Sequence, residues 1–451
     1  MGARHKSVMV NPHTQEERTT DRDSMLLANA PAHSASDTLA NALQQVRQQS
    51  VAYCEPLALE DYGLQAVAET SPPKWHLAHT SWFFETFILK PFANGYSVFH
   101  PQFEYLFNSY YNGIGEQFPR PSRGLLSRPT VAEVLAYREH VDRAMLALLE
   151  ALEHPQRETI LTRTLLGIHH EHQHQELFFT DIKFSLHINP LTPAYRQAPV
   201  PWQQGACPDH GWLAFDGGLS ECGAGVNEPF VFDNETPRHR VWLEPFSLAR
   251  SLVTNDAFLA FVEDGGYRNP ALWLADGWAE VRQHGWQHPL YWRQRDNQWF
   301  EYTLHGEQPL DPHRPVCHLS AYEADAFARW AGARLPTEFE WEHAAAGQSV
   351  SGQFVDSAHL QPLSGGGDGP LQDLFGSVWE WTSSAYSPYP GFRMAEGAIG
   401  EYNGKFMCNQ LVLRGGSCVS DRRHIRASYR NFFYPRDRWQ FSGLRLARDQ
   451  G

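Results

Sequence analysis

The segment GIHHEHQHQELFFTDIKF, residues 167–184, sets the first expectations for both the fold and the chemistry of this chain. It lies in a stretch of helical periodicity that runs from about residue 158 to 186. His170 and His174 are four residues apart, so a helix projects both imidazoles from one face, where they can share a metal ion. Apolar residues flank the pair, and burying imidazoles without partners is costly. The segment therefore favours a metal site over a solvated helix face.

The same segment also matches the H-E-x-x-H helix of zinc hydrolases, in which Glu171 would be the general base. That interpretation requires a third ligand further along the chain. The metzincin pattern has a glycine three residues after the second histidine, where this chain has Leu177. The next glutamate after Glu176 is Glu221, which is too distant for the gluzincin pattern. A zinc hydrolase therefore remains the weaker alternative.

A third ligand is available upstream, in SPPKWHLAHTSWFFETFIL, residues 71–89. His76 and His79 lie three residues apart in this aromatic helical segment, and the spacing alone leaves both as candidates. Three neutral imidazoles would leave three positions of an octahedral ion open, without the negative charge that a two-histidine-one-carboxylate site supplies. Such a site can accept an anionic thiolate and still leave room for dioxygen.

The two halves of the chain differ in pattern, which predicts an α+β protein. Residues 1–37 are polar and lack the apolar core of a secretory signal, so we expect a disordered tail. Residues 38–195 have helical periodicity and predict a bundle that can hold a metal between facing helices. Residues 196–451 follow a proline-rich stretch and combine short predicted strands with glycine-rich loops.

Within the predicted bundle, the first helix is expected to start after the capping candidates Ser36 and Asp37. A second periodic stretch covers residues 131–152, and the third is the histidine-rich stretch at about residues 158–186.

Composition excludes several classes of protein. The formal net charge of −14 argues against a surface for nucleic acids or anionic membranes. No apolar run reaches the roughly 18 residues that indicate a membrane span. The six cysteines show no C-x-x-C spacing, which is typical of reduced thiols in a cytoplasmic protein.

Several segments, in this order, resemble those of the sulfoxide synthases of ergothioneine biosynthesis. In the N-terminal half they are LAHTSWFFE, the spacing H-x-x-x-H-x-E at His170, His174 and Glu176, and the loop FNSYYNGIGEQFPRPSRGLLSRPT. The C-terminal half resembles the formylglycine-generating-enzyme domain in VTNDAFLAFV, GARLPTEFEWEHAA, FGSVWEWTSS, LRGGSCVSD and FSGLRLAR. The resemblance covers roughly residues 40–448, and the paired halves make it specific.

The resemblance implies an N-terminal DinB-like helical bundle that carries Fe(II), and a C-terminal domain of C-type-lectin-like fold that closes the substrate pocket. Family members use dioxygen to join a thiol sulfur to C2 of the imidazole of hercynine (trimethylhistidine), and they oxidise that sulfur to a sulfoxide. It also implies that His79 completes the iron site with His170 and His174. Glu176 is then expected to orient a metal-bound histidine without binding the metal itself.

The adjacent tyrosines Tyr110 and Tyr111 resemble the pair found in the branch that uses free cysteine, where the first tyrosine stands near iron. This implies that Tyr110 is the proton donor to the reduced oxygen species, with Tyr111 beside it. A phenol suits that role because it is uncharged at neutral pH. Arg120 and Arg123, three residues apart in the same loop, resemble the family's carboxylate-binding arginines, and a guanidinium fork matches a carboxylate.

Hercynine has a quaternary ammonium without N–H groups, so aromatic faces must contribute to its binding. The resemblance implies that Asn431 and Gln173 hold this substrate and that Phe432 and Phe433 wall its ammonium. Trp439, nearby in the same segment, is explained equally well as part of the core.

The function expected from the resemblance is an Fe(II)- and O2-dependent sulfoxide synthase that joins hercynine to cysteine. A sister enzyme with a selenium donor, such as a selenosugar, is the main alternative, although Arg120 and Arg123 favour an amino-acid donor. An ovothiol-type synthase usually carries a fused methyltransferase, which is missing here. Formylglycine generation is disfavoured because Cys418 has no obvious second cysteine nearby. A binding module without catalytic activity is the remaining alternative.

Overall fold

The protein combines a helical N-terminal half with a strand-rich C-terminal half, which confirms the predicted α+β class. The computed structural model describes residues 32–151, 154–197, 210–365 and 369–450. Residues 1–31 of the predicted disordered tail lie outside these residues. The domain boundary placed between residues 195 and 196 stays a prediction.

The described part of the N-terminal half contains six α-helices. They are α1 (Ala32–Cys54), α2 (Pro73–Phe84), α3 (Lys90–Phe92), α4 (Phe103–Phe107), α5 (Val131–Glu150) and α6 (Arg157–His187). A π-helical turn at Glu85–Leu89 continues α2 into α3, and short 3-10 turns lie at Leu59–Gly63 and Arg120–Leu125. The long helices α1, α2, α5 and α6 pack against one another as a bundle.

The first helix begins earlier than the sequence predicted. Within the described residues it spans Ala32–Cys54 and therefore includes Ser36 and Asp37, so neither residue is its N-terminal cap. No proline or glycine interrupts residues 32–37, and a helix can therefore extend through them. The other two predicted helices correspond to α5 and α6.

A glycine sets the close approach of the two helices that carry the predicted metal ligands. Gly167 of α6 faces the ring of Phe84 at the end of α2, and a Cβ at residue 167 would lie only 2.4 Å from the Phe84 Cε1 atom. Any larger residue would push α2 away from α6. The close contact brings the histidine faces of both helices together.

The C-terminal half contains four α-helices and fourteen short strands among the described residues. The helices are α7 (Asn255–Glu263), α8 (Ala275–His284), α9 (Ala321–Trp330) and α10 (Glu338–Ala345). The strands are β1 (Trp212–Phe215), β2 (Gly218–Cys222), β3 (His239–Leu243), β4 (Phe246–Ala249), β5 (Trp292–Arg295), β6 (Gln298–Thr303), β7 (Gly306–Pro309), β8 (Gly352–Gln353), β9 (Phe375–Gly376), β10 (Trp379–Ala385), β11 (Leu411–Arg414), β12 (Asn431–Phe433), β13 (Ser442–Gly443) and β14 (Ala447–Asp449).

The largest sheet has the strand order β12-β11-β10-β13, so β12, with its substrate-binding candidates Asn431, Phe432 and Phe433, lies at a sheet edge. A second sheet has the order β1-β4-β14, in which the first and last strands of this half flank β4. The remaining sheets are β5-β6-β7, β2-β3 and β8-β9. Within the described ranges, we find no helix with the length and apolarity that crossing a membrane requires.

A buried ion-pair network fixes how α6 is rotated within the bundle. The Glu171 carboxylate accepts hydrogen bonds from Arg47 Nη1 at 3.0 Å, from Ser50 Oγ at 2.6 Å and from Arg138 Nη2. Glu171 itself is inaccessible to solvent. Burial alone would raise the pKa of Glu171, but Arg138 and Arg47 outweigh it and lower that pKa to about 2. The charged carboxylate therefore holds this face of α6 against α1 and α5.

We expect Glu171→Ala to lower the free energy of unfolding by about 3–5 kcal/mol, because it leaves two buried guanidinium groups without their shared carboxylate. Urea denaturation followed by circular dichroism measures this loss. The matched control is Glu139→Ala on α5, which breaks only the exposed pair with Arg143 and should change the stability by less than about 0.5 kcal/mol. Equal stability of the two variants would contradict this account of α6.

Candidate metal centre and active-site cavity

Three histidines meet where α2 packs against α6. His79 comes from α2, and His170 and His174 come from one face of α6, as their spacing predicts. A ring nitrogen of each histidine lies within 4.8 Å of a ring nitrogen of the other two. The Nε2 atoms of His79 and His170 are 3.2 Å apart. The structure thus brings together the three residues that the sequence analysis assigned to the metal.

The hydrogen bonds around these histidines determine which ring nitrogens carry a proton. Nδ1 of His79 lies 2.6 Å from the Phe107 carbonyl and must donate to it, which leaves its Nε2 lone pair free. Asp181 Oδ2 lies 3.1 Å from His76 Nε2, and His76 Nδ1 lies 2.9 Å from His174 Nδ1. Because the Asp181 carboxylate can only accept, Nε2 of His76 carries the proton of that ring. Nδ1 of His76 then has a lone pair and accepts a hydrogen bond from Nδ1–H of His174. His174 therefore also keeps a free Nε2 lone pair.

Burial keeps all three imidazoles neutral. It lowers the pKa of His170 to about 3 and places the pKa values of His79 and His174 well below the usual range, where the neighbouring histidines lower them further. Nδ1 of His170 is buried and has no hydrogen-bond partner among the described residues. The free Nε2 lone pairs of His79 and His174, in the small space that these two residues share with His170, fit a shared cation. Neutral imidazole is the form that binds Fe, Zn, Cu or Ni.

Two of these histidines line a cavity of about 300 Å³ between the two halves of the chain. All six predicted substrate-binding residues share that cavity with Tyr110, the predicted proton donor, and Glu176 lies in the same wall. The six are Arg120, Arg123, Gln173, Asn431, Phe432 and Phe433. His79 and Tyr111 are fully buried behind the cavity surface.

Arg123 is a deeply buried cation in the cavity wall. Its guanidinium lies 3.5 Å from the centre of the Trp75 ring, and Nη1 donates to Ser71 Oγ at 2.9 Å. Its Nε and Nη2 atoms are buried and have no partner among the described residues. Burial, and then the charge of Arg120, lowers the pKa of Arg123. Arg120 is exposed and uses Nη2 to donate to the Glu69 carbonyl. Among the described residues, neither arginine forms an ion pair with a carboxylate, although Asp181 lines the same cavity.

The two tyrosines have different positions. Tyr110 lines the cavity, whereas Tyr111 packs behind it against the rings of Trp82 and Phe87. Their rings are stacked at 4.6 Å, and their hydroxyl oxygens are 3.4 Å apart. Burial raises the pKa of both phenols, so both stay protonated at neutral pH.

The predicted hercynine residues come from both halves of the chain, with Gln173 on α6 and Asn431, Phe432 and Phe433 on β12. Gln173 is held at both ends of its amide: Nε2 donates to the Tyr429 hydroxyl at 2.8 Å, and Oε1 accepts from the Tyr402 hydroxyl. Phe432 stacks on Tyr386 with ring centres 4.0 Å apart. Trp439 is half-buried and is not part of the cavity wall.

The contacts of Glu176 differ from the prediction that it orients a metal-bound histidine. Its carboxylate accepts hydrogen bonds from Trp379 Nε1 at 2.5 Å, from Ser420 Oγ at 2.5 Å and from Gln440 Nε2 at 3.1 Å. All three donors belong to the C-terminal half, and none is a histidine of the metal centre. Burial raises the pKa of Glu176 to about 7 in spite of these donors. Glu176 therefore joins α6 to the C-terminal half, and Asp181 is the acid that orients a histidine.

The zinc-hydrolase alternative loses its general base in this structure. Glu171, which would have to activate water beside the metal, instead forms the solvent-free network with Arg47 and Arg138. A carboxylate with a pKa of about 2 is also a poor proton acceptor at neutral pH.

The sequence analysis missed several residues of the site. Tyr402 lies beside His170, with ring centres 5.6 Å apart, and Tyr429 lies on the other side of Gln173. Asp181 was not singled out, although it lies in the quoted α6 segment seven residues after His174, two helical turns on. Tyr402 lies in the irregular segment AIGEYNGKF, which has no periodicity that could have placed it.

Comparison with known proteins gives matches in both halves. The sulfatase-modifying factor enzyme 1-like domain family matches residues 199–365 and 369–450. The DinB superfamily matches residues 42–178.

Among curated proteins, the chain is similar to two hercynine oxygenases over nearly their whole length. One, from Mycolicibacterium thermoresistibile, is 32% identical, and the match covers 84% of this chain and 87% of that protein. The other, from Mycolicibacterium smegmatis, is 31% identical over 92% of this chain and 99% of that protein. A formylglycine-generating enzyme from Streptomyces coelicolor is 30% identical, but the match covers only 46% of this chain and 78% of that enzyme.

We expect His170→Ala to abolish stoichiometric binding of a divalent metal, because it removes one of three ring nitrogens. Asp181→Ala should weaken the affinity by about 10- to 100-fold, since it releases the His76 and His174 rings. Anaerobic titration of the apoprotein with Fe(II) or Co(II), together with elemental analysis, measures both effects. The matched control is His187→Gln, also on α6 but outside the trio. Full metal content in His170→Ala would refute the assignment.

Proposed function

Because this chain belongs to the hercynine oxygenase family, we propose that it is an Fe(II)- and dioxygen-dependent sulfoxide synthase that joins the sulfur of cysteine to C2 of the hercynine imidazole. Membership of the family makes the chain an oxygenase with a small-molecule substrate. The observation that supports the finer proposal is that one cavity adjoins the histidine trio and combines two of its histidines with an arginine pair that forms no ion pair among the described residues and with an aromatic wall.

In this proposal His79, His170 and His174 hold Fe(II), whose chemistry is to activate dioxygen next to a bound thiolate. Three neutral imidazoles suit an anionic thiolate because they leave the full charge of the ion available to it. The described cysteines are all free thiols, which fits a reducing cytoplasm as the setting that we propose.

Arg123 is the proposed anchor for the carboxylate of cysteine. Its unpartnered Nε and Nη2 atoms lie next to each other on the guanidinium fork, and that edge matches the two oxygens of a carboxylate. Arg120, also in the cavity wall, adds a second positive charge. A bound carboxylate would satisfy the two buried donors and offset the burial that lowers the pKa of Arg123.

The aromatic wall is the proposed site for the trimethylammonium group of hercynine. A quaternary ammonium cannot donate a hydrogen bond, so its affinity comes from ring faces such as those of Phe432 and Phe433. Asn431 and Gln173 supply the polar contacts for the rest of hercynine in this proposal. The amide of Gln173 cannot rotate freely, because Tyr402 and Tyr429 hold its two ends.

Tyr110 is the proposed proton donor. Its phenol lines the cavity and is protonated at neutral pH, because burial raises its pKa. Tyr402 is a second phenol near His170, but it donates its proton to Gln173 Oε1. Tyr111, whose hydroxyl lies 3.4 Å from that of Tyr110, can pass a replacement proton to it.

The proposal is tested with protein reconstituted with Fe(II) under anaerobic conditions and then mixed with oxygenated buffer and hercynine. Parallel reactions contain cysteine, γ-glutamylcysteine or a selenosugar, and mass spectrometry identifies the products. We expect the sulfoxide conjugate of hercynine and cysteine as the main product. Preference for γ-glutamylcysteine or for the selenosugar would overturn the assignment of the donor. Absence of any conjugate would overturn the synthase proposal.

We expect Arg123→Met to raise the KM for cysteine by about 10- to 100-fold, the usual effect of losing hydrogen bonds to a charged group. The KM for hercynine should stay within about twofold, since Arg123, which lies against Trp75, is assigned only to cysteine in this proposal. The matched control is Arg163→Met, which removes a half-buried arginine that packs on Phe92 outside the cavity. Equal increases in both KM values would contradict the assignment of Arg123.

A further inference from the structure

The loop that carries Tyr110 is fastened to the C-terminal half by one short segment. This segment, residues 398–406, contains the 3-10 turns Ala398–Glu401 and Gly404–Phe406. It lies against residues 110–113 of the bundle, nearly 290 positions earlier in the chain. The contact therefore depends on how the two halves are assembled.

Glu401 accepts two backbone N–H groups of the Tyr110 loop. Its Oε2 atom accepts from Asn112 N at 3.0 Å, and its Oε1 atom accepts from Gly113 N at 2.7 Å. The fit explains why residue 113 is glycine. A Cβ there would lie 3.0 Å from Glu401 Oε1 and 3.2 Å from Ala398 Cβ. Both oxygens of the carboxylate are thus used to hold consecutive amides of one turn.

Lys405 completes the contact from the next turn of the segment. Its ammonium donates to the Tyr110 carbonyl and also to Glu401 Oε2, at 2.7 Å. It lies 5.2 Å from the centre of the Tyr110 ring, and Phe406 meets the same ring edge to face at 4.9 Å. The carbonyl, the following amides and the ring of Tyr110 are therefore all contacted by this segment.

The same segment also carries Tyr402 into the cavity. Tyr402 is buried, stacks on Phe232 with ring centres 5.5 Å apart and donates to Gln173 Oε1. Two of the three tyrosines that line the cavity, Tyr110 and Tyr402, are thus positioned by residues 398–406.

We propose that Glu401 and Lys405 are positioning residues of the reaction, which fasten the Tyr110 loop so that its phenol points at the reacting atoms. Neither side chain lines the cavity, so each acts through Tyr110. The inference rests on the proposed function, because it assigns a purpose to the orientation of Tyr110. Hydrogen bonds to a carboxylate are stronger than neutral ones and suit a loop that lacks regular structure.

The central experiment compares Glu401→Ala and Glu401→Gln with the wild-type enzyme. We expect Glu401→Ala to lower kcat by about 10- to 100-fold, the effect of misplacing a reacting group by roughly an ångström. The KM values for hercynine and cysteine should stay within about twofold, since no substrate contact is removed. Glu401→Gln keeps one oxygen as an acceptor and should lie between Glu401→Ala and the wild type. Lys405→Met should lower kcat in the same direction.

The control is Glu221→Ala on β2, which removes the carboxylate of a surface ion pair, that with Arg238, far from the Tyr110 loop in sequence. Its kcat and melting temperature should equal those of the wild type. A double-mutant cycle with Tyr110→Phe then tests the route of the effect. If Glu401 acts through Tyr110, adding Glu401→Ala to Tyr110→Phe causes no further loss of kcat. Additive losses, or a larger effect on KM than on kcat, would overturn the proposal.

Hydrogen exchange tests the same contact without any assay of activity. The Asn112 and Gly113 amides are protected by Glu401, so peptides that contain them should exchange faster in Glu401→Ala and at the wild-type rate in Glu221→Ala. Unchanged exchange in Glu401→Ala would overturn the positioning role. Failure of the proposed function would give a different result. The wild-type protein would then form no conjugate with any donor, while exchange at the Asn112 and Gly113 amides would still be faster in Glu401→Ala than in the wild type.

Discussion

A carboxylate with no access to water, Glu171, determines the arrangement on which the rest of the site depends. Arg47, Arg138 and Ser50 donate hydrogen bonds to this carboxylate. Rotation of α6 about its axis would separate the carboxylate from these donors and leave it unpaired in the low-dielectric interior, which is costly. His170 lies one residue before Glu171 and His174 three residues after it, so on a helix their side chains project at fixed angles to that of Glu171. The rotation of α6 that places Glu171 in its network therefore also points His170 and His174 at α2. The ion-pair network on one face of α6 thus sets the direction of the metal ligands on another.

From Gly167 onward, helix α6 has partners on several of its faces, and this explains why its sequence there is rich in polar residues that are nevertheless buried. One face meets the bundle through Glu171, and a second meets the cavity through His170 and His174. A third meets the C-terminal half, where Glu176 binds Trp379 and His169 lies 3.0 Å from His424. Polar residues on a buried helix require a partner for each hydrogen-bonding group. The metal helix is therefore shared between the two halves, and neither half alone can form the cavity.

Much of this arrangement could be predicted from the sequence, and the exceptions have a common cause. Helices α5 and α6 and the pair His170 and His174 follow from local periodicity. The choice between His76 and His79 could not be made from spacing, because both lie on the same helix and only their contacts with Phe107 and His174 distinguish them. The partners of Glu176 lie more than 200 residues away. Tyr402 depends on assembly of the two halves, which local patterns do not encode.

The polar side chains that line this cavity are of two kinds. Some have their hydrogen-bonding atoms paired with other protein groups, and others have buried atoms that are left unpaired. The carboxylate of Glu176 has three donors and the amide of Gln173 is held at both ends, so both are structural supports as well as wall residues. Arg123 and His170 have buried nitrogens without partners among the described residues, a costly condition in a folded protein. Among the described residues that line the cavity, Arg123 and His170 are the two with such buried, unpartnered side-chain nitrogens. The two residues that the proposal assigns to the thiol substrate and to the metal thus keep hydrogen-bonding capacity that Glu176 and Gln173 have already used.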